Sequence, residues 1–216
     1  GLKCVHDTVE STASINVDPE RIKVEFPNNI KLPKDGLNIR FPDTPQSQEK
    51  RMHENKLEAV RAFCRKNRLD KIVWDGGEAK IGIVTLGKSY LDTRLALDEL
   101  GIKEKEAKKL GIRLYKVAMP WPLEKEGLLE FVEGIDLIIV VEEKRSLIET
   151  QIKEILFDAK KNLIVIGKTD ENGNHLFHSS GALDPNHIAI AIGQRILKFK
   201  EIPKLKKRMI EIESRI

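Results

Sequence analysis

Eight consecutive residues, Gly82-Ile83-Val84-Thr85-Leu86-Gly87-Lys88-Ser89, match the phosphate-loop spacing G-x-x-x-x-G-K-[ST] letter for letter. In a working phosphate loop the first glycine lies just past the end of a strand, and the following amides turn inward to cradle phosphate oxygens. Here the intervening residues Ile83, Val84, Thr85 and Leu86 are large, apolar or β-branched. Such residues predict a buried strand from Lys80 to Leu86, with Gly82 inside it and Ser89 capping the helix that follows. Amides tied into a sheet ladder form no anion nest. Downstream, Leu137–Val141 followed by Glu142-Glu143 resembles the strand with terminal carboxylates that holds magnesium in nucleotide hydrolases. Acidic residues are also common after any parallel strand, where the sheet edge meets solvent.

A narrower site survives. Gly87, Lys88, Ser89, Glu142, Lys144 and Arg145 all fall just beyond strand ends, where open α/β sheets gather ligands and helix N-termini favour negative charge. These six residues are candidates for anion binding or for contact with another domain, and an ordinary polar sheet edge is the plainer alternative. A nucleotide-binding protein working through Gly87, Lys88 and Ser89 is a second reading. Other patterns are weaker. His175 and His178 stand three apart with His187 further on, but no cysteine accompanies them, so no metal site is expected. Ser11, Ser14, Ser179 and Ser180 lack the G-x-S-x-G context of an activated serine. No catalytic set assembles from these residue types.

The elements that must position the candidate residues follow from periodicity. Residues 1–45 read as irregular, with one strand at Arg21–Phe26 and prolines at 27, 33, 42 and 45. Thr44-Pro45 opens a long helix to about Arg68, with Leu57, Val60, Phe63 and Cys64 on one face. From Lys71 onward, apolar runs at Ile72–Trp74, Ile81–Leu86, Arg113–Val117, Leu137–Val141 and Leu163–Ile166 alternate with helical patterns. The helices fall at 89–100, 103–110, 124–133, 146–158 and 185–199. Strands apolar on both faces, alternating with amphipathic helices, predict an α/β/α sandwich around a mostly parallel sheet of about five strands. Ser89 with Asp92, and Ser146 with Glu149, have capping-box spacing, and Asp184-Pro185 pairs a cap with a first-turn proline. Ile202, Leu205, Met209, Ile212 and Ile216 form a heptad seam that needs a partner, either this domain or another chain.

Composition bounds the remaining classes. With 40% apolar and 33% charged residues, the chain has material for a core but no apolar run near the roughly 20 residues of a membrane span. The net charge of +4 concentrates in Lys198, Lys200, Lys204, Lys206, Lys207 and Arg208. Only Phe199 accompanies them, so a solvated helix face fits better than a nucleic-acid surface. Cys4 and Cys64, without CxxC spacing, exclude a four-cysteine cluster within this segment and suit a reducing, cytoplasmic setting. A start at Gly1 reads as a segment of a longer polypeptide.

Several runs together carry a resemblance. Leu2-Lys3-Cys4, Asp7-Thr8-Val9-Glu10-Ser11 with Ala13-Ser14, Gly36-Leu37-Asn38-Ile39-Arg40 and Pro42-Asp43 resemble the long fused indolepyruvate ferredoxin oxidoreductases. So do Ile81–Gly87 with Lys88-Ser89-Tyr90-Leu91-Asp92, then Leu114-Tyr115-Lys116-Val117, Trp121-Pro122-Leu123-Glu124 and Val140-Val141-Glu142-Glu143-Lys144-Arg145. The resemblance covers residues 1 to about 198. It implies a thiamine-diphosphate enzyme that decarboxylates an aryl 2-oxoacid, passes the acyl group to coenzyme A, and sends electrons through iron–sulfur clusters to ferredoxin. Residues 1–78 would then be the end of a pyrimidine-binding domain with a connector and long helix. Residues 79–200 would be a domain similar to the C-terminal domain of transketolase, and 201–216 an amphipathic helix. The family's magnesium and pyrophosphate motif and its cluster cysteines are absent here, so no catalytic residue transfers and no cofactor is expected in this segment. The chain is expected to be an inactive structural domain when isolated. Its expected partners are the other domains of its parent chain, ferredoxin through that parent, and a second copy in a homo-oligomer. A scaffold recruiting a partner through the heptad helix is a further alternative.

Overall fold

The computed structural model describes residues 9–10, 12–28 and 30–216. The resemblance-bearing residues 2–4, 7, 8 and 11 lie outside the described residues. Five strands form one sheet: β1 (Lys71–Trp74), β2 (Ile81–Leu86), β3 (Ile112–Val117), β4 (Leu137–Val141) and β5 (Ile164–Ile166). Their spatial order is β1-β3-β2-β4-β5, with every neighbouring pair parallel except β1 against β3. The expected mostly parallel sheet is present, and its antiparallel member is the edge strand β1.

β2 occupies the centre. It pairs with β3 along Ile81–Leu86 and with β4 along Ile81–Thr85, so its amides and carbonyls are spent in ladders on both sides. Its side chains alternate between two cores. Ile81 and Ile83 meet Leu97, Leu114, Ile139 and Ile192 on one face, while Val84 meets Tyr115, Leu128, Phe131 and Ile138 on the other. The first face is covered by α3 (Gly87–Glu99), α4 (Glu104–Leu110), α7 (Pro185–Phe199) and α8 (Pro203–Glu213). The second is covered by α5 (Lys125–Phe131) and α6 (Ile148–Asp158). Each large aliphatic side chain sealed in this way contributes about 1.5–3 kcal/mol. The result is the α/β/α sandwich expected from the periodicity.

Ahead of the sheet, α1 (Pro45–Arg51), a π-helical segment Met52–Lys56 and α2 (Leu57–Lys66) form one continuous helical path, as the Thr44-Pro45 signal predicts. Thr44 Oγ1 accepts the Ser47 amide at 3.2 Å. Ala62 and Cys64 are buried, whereas Val60, expected on the same face, is exposed. Asp184 caps α7 as expected, taking the Asn186 amide at 2.7 Å.

Three local expectations are corrected, and one left open is settled. Arg21–Phe26 forms no strand; Pro19–Arg21 is a 3-10 turn, and the exposed Ile22, Val24 and Phe26 find no neighbouring strand among the described residues. Alternation alone makes no strand without a ladder partner. Ser89 is not a cap, because the helix begins two residues earlier, at Gly87, and Ser89 is buried within its first turn. Ser146 is not the cap of α6 either, since that helix start is served by Glu142. The heptad seam of α8 is covered by this domain itself: Leu205, Met209 and Ile212 are buried in the first core. A partner recruited through that seam would have to unpack the domain. On α7, a side chain at Gly193 would run into Met209, which marks how closely the two helices approach.

Glu171 and Arg195 hold the segment after β5 to α7. Arg195, almost fully buried, donates from Nη2 and Nε to the two Glu171 carboxylate oxygens at 2.7 and 3.3 Å, and Lys198 Nζ reaches Oε1 at 3.1 Å. The Arg195 hydrogen bonds, opposed by partial burial, lower the Glu171 carboxyl from its ordinary 4.5 to about 2.

Two outcomes follow from this packing. A methyl group at Gly82 would meet the Phe131 ring and Ile135 Cδ1 inside van der Waals contact. Gly82→Ala should therefore destabilise by about 1–3 kcal/mol despite the better strand propensity of alanine, seen as a lower urea midpoint with an unchanged slope. For Glu171, a depressed folded-state pKa supplies stability that is present above the unfolded value and lost as pH falls towards the folded one. The stability gap between the parent protein and Glu171→Gln should narrow as pH falls from about 5 to about 2.5, measured by denaturant titration. A constant gap over that range would remove the pair's electrostatic role.

Candidate functional site

The chain leaves β2 through α3 and α4 to β3 on one side, and leaves β4 through α6 to β5 on the other. The carboxyl ends of β2 and β4 therefore send their connections in opposite directions, and a crevice opens between them, the place where doubly wound sheets receive ligands. A cleft of about 340 Å³ lies there, bordered by Leu86, Gly87, Lys88, Ser89, Glu142, Glu143, Lys144, Arg145 and Leu147. All six sequence candidates border this one cleft.

Each element delivers its residues for a local reason. Gly87 turns the chain from strand directly into helix at φ +52°, a left-handed conformation that a side chain resists. Lys88, on the first turn of α3, pairs with Asp92 at 2.8 Å and lies 3.7 Å from Glu143. Ser89 borders the cleft but is 3% exposed, so it offers little surface. Lys144, also left-handed at φ +59°, donates to the Gly181 carbonyl at 3.0 Å. Arg145 is exposed at the rim.

Glu142 has a role that the capping-box spacing did not reveal. Its carboxylate, 2% exposed, accepts the amides of Leu147 and Ile148 at 3.0 and 2.9 Å through Oε2 and that of Glu149 at 3.1 Å through Oε1. The first turn of α6 thus holds a resident anion supplied by the end of β4, favoured by the amide donors and the helix dipole. A second layer supports it. Glu149 accepts the Lys168 amide at 2.9 Å and pairs with Lys153, and a side chain at Gly167 would collide with its carboxylate. Lys168 Nζ donates to the Glu142 carbonyl at 2.6 Å and to the His178 carbonyl at 3.3 Å. Burial pushes the Lys168 ammonium below its ordinary range, while Glu142, Glu149 and Glu143 oppose the shift. The sequence marked Asp92 and Glu149 for capping and Glu143 as a strand-end carboxylate, and gave none of them, nor Lys168, these partners. Only the i,i+4 spacing of Lys88 and Asp92 carried a local signal.

Lys88, Glu142, Glu143 and Lys144 are thus engaged with one another, with Asp92 or with backbone groups, and Arg145 is exposed at the rim. The β2 amides cannot cradle phosphate, so the nucleotide-loop reading of Gly82–Ser89 fails on hydrogen bonding. Among the described residues no group of three or more His, Cys, Asp and Glu side chains is placed to hold a metal ion, and no helix is long and apolar enough to cross a membrane.

Removing the resident anion should be measurable. Glu142→Ala should lower stability by about 2–3 kcal/mol, because buried amides lose a charged acceptor. Millimolar phosphate should raise the thermal midpoint of the variant more than that of the parent protein. Equal shifts would show that the α6 terminus is not an anion site.

Comparison with known proteins gives the chain a family. The family profile described as an indolepyruvate oxidoreductase domain matches residues 71–215, from β1 through α8. The indolepyruvate oxidoreductase subunit IorA of Pyrococcus horikoshii is 29% identical over 155 residues, covering 69% of this chain and 22% of that protein. Its counterpart in Pyrococcus abyssi is 30% identical over 131 residues, covering 60% of this chain and 19% of that protein. Among solved structures, 2-oxoglutarate:ferredoxin oxidoreductase from Magnetococcus marinus, with 2-oxoglutarate, coenzyme A and succinyl-CoA bound, aligns with a TM-score of 0.46 at 19% identity. That alignment covers 71% of this chain and 24% of that one. The chain spans about a fifth of the length of the curated relatives it matches. With two thirds of its residues, including the whole sheet, matched by that profile, the chain belongs to the indolepyruvate oxidoreductase domain family.

Proposed function

We propose that this chain is a non-catalytic structural domain of an indolepyruvate:ferredoxin oxidoreductase. In that reading the parent converts an aryl 2-oxoacid and coenzyme A to an acyl-CoA and carbon dioxide, with thiamine diphosphate, Mg2+ and iron–sulfur clusters held in other parts of the parent and electrons passed to ferredoxin. The observation that carries the proposal is the cleft between β2 and β4. The family match supports such a parent, and at the cleft Lys88 pairs with Asp92 while Glu142 accepts three amides at the start of α6. Such a cleft is built to be rigid and to present Lys88, Lys144 and Arg145 as a docking edge for a neighbouring domain. It holds no acid, base or nucleophile free to react.

The isolated chain should show no indolepyruvate- and CoA-dependent reduction of a viologen dye, and no heat of binding with thiamine diphosphate and Mg2+. Turnover or cofactor binding by the chain alone would overturn the structural role. Calorimetry with ATP and Mg2+ should likewise be silent, whereas micromolar binding abolished by Lys88→Ala would restore the nucleotide reading.

A further inference from the structure

Ahead of the sheet, Ile22, Val24 and Phe26 alternate with Arg21, Lys23 and Glu25 and stand 67, 58 and 77% exposed. Ile22 is extended at φ −110° and ψ 112°, and no turn or bend interrupts the backbone from there to Pro27. Asn67, at the end of α2, grips this stretch at one point. Its Oδ1 accepts the Glu25 amide at 2.9 Å, and its Nδ2 donates to the Glu25 carbonyl at 2.8 Å. Nδ2 also donates to the Phe63 carbonyl at 3.0 Å, which holds the side-chain amide against the helix. One side chain thus does for Glu25 what a neighbouring strand would do.

Successive residues of an extended chain send their N–H and C=O groups to opposite edges. With those of Glu25 turned towards α2, those of Ile22, Val24 and Phe26 face the other way, where they meet no hydrogen-bonding partner among the described residues. The stretch is an unpaired edge, the kind of backbone that templates pairing with another chain. The 3-10 turn Pro19–Arg21 bounds it on one side, and Pro27, which has no N–H to donate, bounds it on the other.

The five residues between those bounds are their own complement. Set antiparallel about a twofold axis through Val24, they place Val24 against Val24 and Ile22 against Phe26 of a second copy. These are the residues whose backbone groups face outward. The same register places Lys23 opposite Glu25 on the other face, twice over. Glu25 also pairs with Lys66 of its own chain at 2.8 Å, so its carboxylate would lie between two ammonium groups. Matched apolar side chains and opposite charges directly across a ladder favour it, and like charges oppose it. Alternatives are penalised. A slip of one residue sets apolar against charged side chains, and a slip of two sets Lys23 against Lys23 or Glu25 against Glu25.

We propose that Ile22–Phe26 is a dimerisation strand, pairing antiparallel with the same segment of a second copy of this chain. A ribbon of this length is a small interface, so the association is weak, with a Kd of about 10–100 µM. It belongs to the chain itself and rests on no reaction of the parent enzyme.

Sedimentation velocity of the 216-residue chain, at concentrations spanning that Kd, should show a monomer giving way to a dimer. Val24→Pro removes the central N–H at an exposed site and should leave the chain monomeric with an unchanged thermal midpoint. Lys23→Glu and Glu25→Lys each set like charges across the ladder, and each should weaken self-association by about tenfold. Mixed one to one, these two variants oppose unlike charges at both pairs and should associate about as tightly as the parent protein. The charge variants leave the backbone intact and decide the matter if Val24→Pro disturbs the fold. A chain that stays monomeric throughout would overturn the assignment. So would self-association untouched by Val24→Pro, or a mixture no tighter than either charge variant alone.

Discussion

Everything in this domain is arranged around the double hydrogen-bonded burial of β2. A strand with a neighbour on each edge and a helical layer on each face has no direction left for solvent, so each of its residues is specified by packing. Ile81, Ile83, Val84 and Thr85 are all at or below 1% exposure. Gly82 lacks a side chain because Phe131 and Ile135 already fill that space. Gly87 ends the strand because the chain must turn into α3 at a positive φ. The two glycines that imitate a phosphate loop thus have separate mechanical causes, one steric and one conformational, and neither concerns phosphate.

The same arrangement explains what the sequence made legible. Strands whose apolar runs must satisfy two cores, such as β2 and β4, are marked residue by residue, and their ends agree with those read from the sequence. Helix α7 carries its cap and its first-turn proline in adjacent positions, so it too is readable. Capping at α6 was not readable, because its acceptor comes from Glu142, on the far side of a loop, and outcompetes the nearby Ser146. A local spacing rule cannot see a carboxylate delivered by the neighbouring strand. Ile22, Val24 and Phe26 show the opposite failure: their alternation is clear, but a strand also requires an edge to join, which local sequence does not contain. The six candidate residues lie around one cleft; Lys88 meets Asp92 within one helix, while Glu143 and Lys168 reach Lys88 and Glu142 only through the fold.

The family assignment and the geometry bear on each other. A domain that matches about a fifth of its relatives' length would, in the reading proposed above, meet the rest of its parent through its surfaces. Rigidity at the β2–β4 cleft comes from charge pairs and amide caps, which hold loops more tightly than apolar packing alone because each has a fixed direction.

Helix α8 carries a consequence for how the chain reaches this structure. Leu205, Met209 and Ile212 close the core over α3 and α7, and Arg208 and Arg215 reach back to Glu99, more than a hundred residues earlier. During synthesis the central sheet can pair long before that helix exists, but one of its two cores stays open until residues 203–213 have been made. The open face exposes Leu97, Ile188 and Ile192, an apolar surface that invites association with other chains. Contacts of such sequence separation also slow the final closure. A nascent domain whose sheet has paired by then keeps that core uncovered until residues 203–213 dock on it.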